Sequence, residues 1–123
     1  MGKNVHVIKR VQQYGCEGFD WKQNEFRDLL DSLGCETIGE YGEDEFECEV
    51  SLYEEAMSLL FDYIDFGGSE SVVKKFKEKG LDYNDFIKAL SSLAIDEKAV
   101  WGQMRKFYDD RDKRWNFICF SCW

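Results

Sequence analysis

The sequence predicts an α+β domain: a small three- to four-stranded sheet (N-terminal strand, central hairpin, C-terminal strand) packed against four to five helices. Three observations carry this. Stretches of period-two alternation stand near both ends and in the middle of the chain, in KNVHVIKRV (3–11), CETIGEYGEDEFECEV (35–50) and WNFICFSCW (115–123). Between them, apolar residues recur at the i, i+3, i+4, i+7 spacing of a helix. The 123 residues, 44% hydrophobic and without proline, suffice for one core and contain no rigid linker, so a single domain over 1–123 is expected.

The elements follow in order. In 3–11, Val5, Val7, Lys9 and Val11 alternate with His6, Ile8 and Arg10, which reads as a strand. A glycine-rich loop, GCEGFD, leads to Asp20 and Gln23, spaced as a capping box before a helix with Phe26, Leu29, Leu30 and Leu33 on one face and Gly34 after it. The next stretch reads as a hairpin turning near Gly42 to Asp44. Its second arm sends Phe46, Cys48 and Val50 one way and Glu45, Glu47 and Glu49 the other. Ser51 and Glu54 form a second capping-box pattern before SLYEEAMSLLFDYIDF, stopped by Gly67 and Gly68. Three shorter helices are expected in SESVVKKFKEKG, LDYNDFIKALSSLAI and DEKAVWGQMRKFYDDRDKR, and a last strand from Trp115. The string strand, helix, strand, strand, helix, helices, strand is compatible with the ferredoxin-like split arrangement carrying extra helices before its last strand.

The terminal WNFICFSCW contains a C-x-x-C, Cys119 and Cys122. A redox pair of this kind sits at a helix N-terminus, which lowers the first thiol's pKa, and only Trp123 follows here. In a strand, residues three apart point to opposite faces, so the two thiols diverge. A structural zinc site would need two further ligands, and Cys16, Cys35 and Cys48 form no second close pair. The strand reading puts Trp115, Phe117, Cys119, Ser121 and Trp123 on one face and Asn116, Ile118, Phe120 and Cys122 on the other. Both faces are apolar, which calls for a strand covered on both sides or central in its sheet.

Net charge is −9, and its distribution is the unusual feature. Residues 1–27 carry +2 and residues 74–123 carry +3, while the 46 residues between Arg27 and Lys74 hold fourteen acids and no Lys or Arg. Within this stretch Glu43, Glu45, Glu47 and Glu49 recur at every second position. A strand spaces such carboxylates about 6.6–6.8 Å apart along one face, close to the phosphate spacing of a nucleic-acid strand. One reading makes this the wet face of a hairpin, whose acids keep an exposed edge from pairing, neutralised by Lys74, Lys75, Lys77 and Lys79. The other makes it a docking surface for a basic partner. Calcium is disfavoured because ligands strung along a strand do not curl round an ion.

No G-x-S-x-G, phosphate loop, G-x-G-x-x-G or H-E-x-x-H pattern is present, and the single histidine, His6, sits inside a strand, so no enzyme and no cofactor are expected. An acidic middle repels phosphates, which argues against direct nucleic-acid binding. The absence of an apolar run near 18 residues and of an apolar N-terminal region leads to a cytoplasmic expectation with no membrane partner. In size and charge the chain resembles the small acidic immunity and inhibitor proteins that bacteria and phages set against toxins or nucleases. The functional expectation is therefore a non-catalytic binding module. It presents Glu40, Tyr41, Glu43, Asp44, Glu45, Glu47, Glu49 and Glu54 to a basic toxin, nuclease or nucleic-acid-binding protein. Tyr41, Tyr53 and Trp123 are the candidate aromatic anchors. The alternative is a self-associating structural subunit that uses the aromatic C-terminal strand.

Overall fold

A computed structural model describes residues 5–8, 22–39 and 45–122. The order is β1 (Val5–Ile8), α1 (Gln23–Ser32), β2 (Glu45–Glu49), α2 (Val50–Phe66), α3 (Glu70–Glu78), α4 (Tyr83–Leu93), α5 (Glu97–Asp110) and β3 (Phe117–Cys122), an α+β architecture.

The last strand lies in the middle of the sheet, whose order is β1-β3-β2. Both pairings are antiparallel, with Val7 and Phe46 opposite Phe120 from the two sides. β1 and β2 consequently run parallel to each other with β3 between them. This departs from the ferredoxin-like order, in which the second arm of the hairpin lies beside the N-terminal strand and the C-terminal strand lies outside. The reason is in the side chains. β3 is apolar on both faces and suits the centre, whereas β2 carries a glutamate at alternate positions and suits an edge.

One face of the sheet meets the helices. Phe46 and Cys48 of β2 and Ile118 and Phe120 of β3 are buried there. Phe120 is the hub: its ring stacks on Phe46 at 4.9 Å and meets Phe26 of α1 and Phe107 of α5 edge-on at 5.5 and 5.4 Å. Each such ring removed from water contributes about 1.5–3 kcal/mol. A second aromatic group, Phe76, Phe86, Tyr63 and Tyr83, closes α2, α3 and α4 together, with Phe76 and Phe86 at 4.9 Å.

The helix ends mix agreement and correction. Gly67 and Gly80 follow α2 and α3 with positive φ of 62° and 71°. Asp82 caps α4 through its side chain, accepting from the backbone N–H of Asn84 and Asp85 at 2.8 and 3.3 Å, and Asp96 caps α5 through Lys98 at 3.1 Å. The Asp20–Gln23 capping box expected for α1 is not formed: the N-cap is Lys22, without a side-chain cap, and Gln23 is the first helical residue. The hairpin turn at 42–44 lies outside the described residues. Ser51 does not cap α2. Its N-cap is Glu49, the last residue of β2, so strand passes into helix without a loop. The Val50 N–H donates to the Asn116 carbonyl at 2.9 Å, which gives the first helical residue its partner on the neighbouring chain segment. Among the described residues no helix is long and apolar enough to cross a membrane.

Candidate protein-binding surface

Alternation along β2 is as the sequence implies: Phe46 and Cys48 are buried, Glu45 and Glu49 exposed, and Glu47 half-buried. The three glutamates stand opposite Ser121, Cys119 and Phe117 of β3, on the sheet face turned away from the helices. Glu47 is the most enclosed, its Oε2 accepting from the Cys119 thiol at 3.5 Å. Glu49, as N-cap of α2, also sits where the helix dipole favours a negative charge. Its position thus has a local structural reason of its own.

Among the described residues, the free side of β2 is held by one bridge. Ile38 and Glu47 exchange backbone hydrogen bonds of 2.7 and 2.9 Å, which is the part of the predicted hairpin that falls on described residues. Arg27 fixes this edge from beneath. It lies on α1 and is only 4% exposed; its Nε donates to Thr37 Oγ1 at 3.1 Å and its Nη2 to the Gly39 carbonyl at 2.7 Å. The guanidinium also covers the Phe46 ring, 4.8 Å from its centroid. Gly39 must be glycine for this approach, because its φ is +136° and a Cβ there would fall 2.9 Å from the Glu45 carbonyl oxygen.

Beyond this edge the acidic surface continues over α1. A shallow hollow of about 280 Å³ is lined by Arg27, Asp28, Asp31, Glu36, Thr37 and Gly39. Asp28 and Asp31 also form one wall of a groove of about 560 Å³ between α1 and α4, with Asp82 and Asp85 on the other and Lys88 at its side. Acids thus line the hollow and the groove beside α1, while Glu45 and Glu49 are exposed on β2. Asp82 and Asp85 were not among the sequence candidates, since they lie outside the acid-rich third. The signal available was their i, i+3 spacing, matched by Asp28 and Asp31, which places each pair on one helix face.

The remaining candidates separate. Glu40, Tyr41, Glu43, Asp44 and Trp123 lie outside the described residues. Glu54 is exposed, but its carboxylate accepts from the Tyr108 hydroxyl on α5; that bond, with burial second, raises the Tyr108 pKa above its ordinary value. Tyr53 is no surface anchor. It is fully buried and its hydroxyl donates to the Met104 carbonyl at 2.7 Å. The apolar side chains that do flank the glutamates are Ile38, 54% exposed, Trp115, 40% exposed, and the half-buried Phe117, whose ring lies 6.1 Å from that of Trp115. The α3 lysines turn elsewhere: Lys75 pairs with Asp62 at 2.9 Å, Lys79 with Glu55 at 3.9 Å and Lys74 with Glu78 at 3.9 Å.

The thiols do not make a metal centre among the described residues, where no group of three His, Cys, Asp or Glu side chains is placed to hold an ion. Cys35 and Cys48 are both buried, and Cys48 is held well above its ordinary pKa, first by its hydrogen bond with Cys35 and then by burial, so it stays a protonated, packing thiol. Comparison with family models, with curated proteins and with solved structures returns no match.

Proposed function

We propose that the chain is a non-catalytic, cytoplasmic binding module that docks its acidic edge onto a basic protein surface such as that of a toxin, a nuclease or a nucleic-acid-binding protein. One observation carries the reading. Among the described residues, no Lys or Arg is within ion-pair distance of Asp31, Glu36, Glu45 or Glu49, and Arg27, which lines the hollow beside Asp31 and Glu36, donates to Thr37 and to the Gly39 carbonyl instead. Side-by-side carboxylates without counter-charges repel one another, and a basic partner relieves that repulsion while the field raises its rate of encounter. Ile38, Trp115 and Phe117 supply apolar contact next to the acids, which charge alone does not.

The self-associating alternative through the C-terminal strand has less support. β3 is hydrogen-bonded on both edges, so neither is open to a second copy, and Ile118 and Phe120 belong to the core. Removing residues 119–123 would therefore test folding rather than association.

The test is charge reversal at the two exposed positions, Glu45→Lys with Glu49→Lys. Wild type and variant are immobilised, challenged with extract from the source cell, and eluted with a salt gradient; the affinity of each recovered basic protein is then measured by calorimetry with both forms. The expected result is at least about a tenfold loss of affinity, largest at low salt, since exposed charges interact over about 10 Å at 0.1 M. The unfolding free energy should fall by no more than about 1 kcal/mol, the part owed to Glu49 at the N-terminus of α2. Identical retention by both forms would sink the reading.

A further inference from the structure

Where β2 ends, the outward face of the sheet brings one acid next to two aromatic rings. Glu49, exposed, stands directly opposite the half-buried Phe117 of β3, a position that sets the two Cβ atoms about 5 Å apart. Trp115, two residues before Phe117, is exposed, and its ring lies 6.1 Å from that of Phe117 at an angle of 41°. β2 supplies no residue opposite Trp115, because α2 begins at Val50 and leaves the sheet there. The loop before β3 fixes this corner. The Trp115 N–H donates to the Asp112 carbonyl at 3.1 Å, and the Asn116 carbonyl accepts from the Val50 N–H at 2.9 Å. Asp112 is nearly buried, and Arg114 donates to its carboxylate through Nε and Nη2 at 3.0 and 3.2 Å. The base beside Trp115 is thus committed to Asp112. Among the described residues neither it nor Lys113 is within ion-pair distance of Glu49.

We propose that this corner seats an arginine side chain of the partner, its guanidinium lying over the Trp115 and Phe117 rings and donating to the Glu49 carboxylate. Given the docking reading, on which this assignment rests, charge complementarity calls for a cation and the rings decide which one. A guanidinium is planar and weakly hydrated. It stacks on an aromatic face at little desolvation cost while its fork of N–H groups meets a carboxylate with two bonds at once. A lysine ammonium is compact and strongly hydrated, and it gains less from a ring. The chain uses the same chemistry within itself. Arg27 covers the Phe46 ring at 4.8 Å on the opposite face of β2, and Arg111 covers the Tyr108 ring at 3.9 Å. Glu45 lies four residues from Glu49, about 13 Å along the strand, so it meets a separate base of the partner. No ring stands opposite it on β3, where its neighbour is Ser121, and lysine serves there as well as arginine.

The experiment is calorimetric titration of the full chain with two octapeptides of equal charge and blocked ends, one alternating glycine with arginine and the other glycine with lysine. Salt is kept near about 0.01 M, where the screening length is about 30 Å. The arginine peptide should bind at least about threefold tighter than the lysine peptide. Trp115→Leu should abolish that preference and bring the arginine peptide down to the lysine level. Trp115→Phe keeps a ring and should retain most of the preference, which separates stacking from any disturbance of the loop. Glu49→Gln should weaken the arginine peptide at least about threefold. Equal affinity for the two peptides, a preference that survives Trp115→Leu, a loss as complete in Trp115→Phe, or indifference to Glu49→Gln overturns the arginine seat and leaves the docking reading standing. Binding of neither peptide overturns both.

Discussion

The acid-rich third of the chain divides into two regions with opposite electrostatic surroundings. In α2, Glu55 pairs with Lys79 and Asp62 with Lys75, because α3 packs alongside and turns these lysines toward it, and Glu54 accepts from the Tyr108 hydroxyl of α5. In the α1–β2 region Arg27 is turned inward onto Thr37, Gly39 and the Phe46 ring, and the outward acids Asp31, Glu36, Glu45 and Glu49 have no basic partner within ion-pair distance among the described residues. The same composition thus yields a helix face neutralised in part by α3 in one place and an uncompensated field in the other. What decides is the direction in which the neighbouring bases point, which is a property of packing and not of net charge.

Removing Arg27 breaks the contrast most severely. Arg27→Ala removes a nearly buried cation from an aromatic face and leaves the Gly39 carbonyl and the Thr37 hydroxyl without their donor. The expected loss is about 2–4 kcal/mol of folding stability, read from urea unfolding. Loosening of residues 37–39, read as faster amide exchange at Ile38 and Glu47, should accompany it. A variant as stable as wild type would mean that the edge is held without Arg27. Next in size is Gly39→Ala. The positive φ and the Cβ contact with the Glu45 carbonyl together should cost about 1–3 kcal/mol in the same assay, whereas an unstrained Gly→Ala change would be stabilising.

How much of this contrast is legible in the sequence depends on the range of the interaction involved. Helices α2 to α5 follow from local rules: an apolar face of period 3.6, Gly67 and Gly80 after the ends, Asp82 and Asp96 before the starts. The alternation of Phe46 and Cys48 against Glu45, Glu47 and Glu49 is equally local, as is the two-sided apolarity that sends Phe117–Cys122 to the centre of the sheet. The Ser51–Glu54 capping pattern misleads because the true start of α2 is set by a long-range bond from Val50 to Asn116. Strand order is invisible for the same reason: β1 and β3 pair across more than a hundred residues, and no local signal marks the partner. Arg27 is one residue from Phe26 and three from Leu30, so the helical period alone puts it at the margin of the buried face. Only the approach of residues 37–39 makes it an inward cation instead of a solvated one. The α1–α4 groove likewise requires knowing which two helices touch.

The smallest expected effect tests the neutralised half. Lys75→Gln removes the cation from Asp62 and Lys79→Gln the one near Glu55, with side chains that are 49% and 42% exposed. Exposed pairs of this kind contribute about 0.2–1 kcal/mol each, and the loss should be near the lower figure for Lys79, whose 3.9 Å contact is longer than the 2.9 Å of Lys75. The double variant also converts α2 into a second uncompensated acidic surface, so part of its deficit is general repulsion and not a lost contact. Salt separates the two contributions. At 1 M, where the screening length is about 3 Å, the repulsive part should vanish and the variant should recover most of the difference from wild type. Reversing Glu45 alone in wild type should show the opposite trend, a slight gain in stability at low salt that disappears at high salt, because there the substitution relieves a repulsion instead of creating one; Glu49 is left in place because the dipole of α2 favours its charge. If both sets of variants respond to salt alike, the two halves of the acidic third are electrostatically equivalent and the division drawn between them fails.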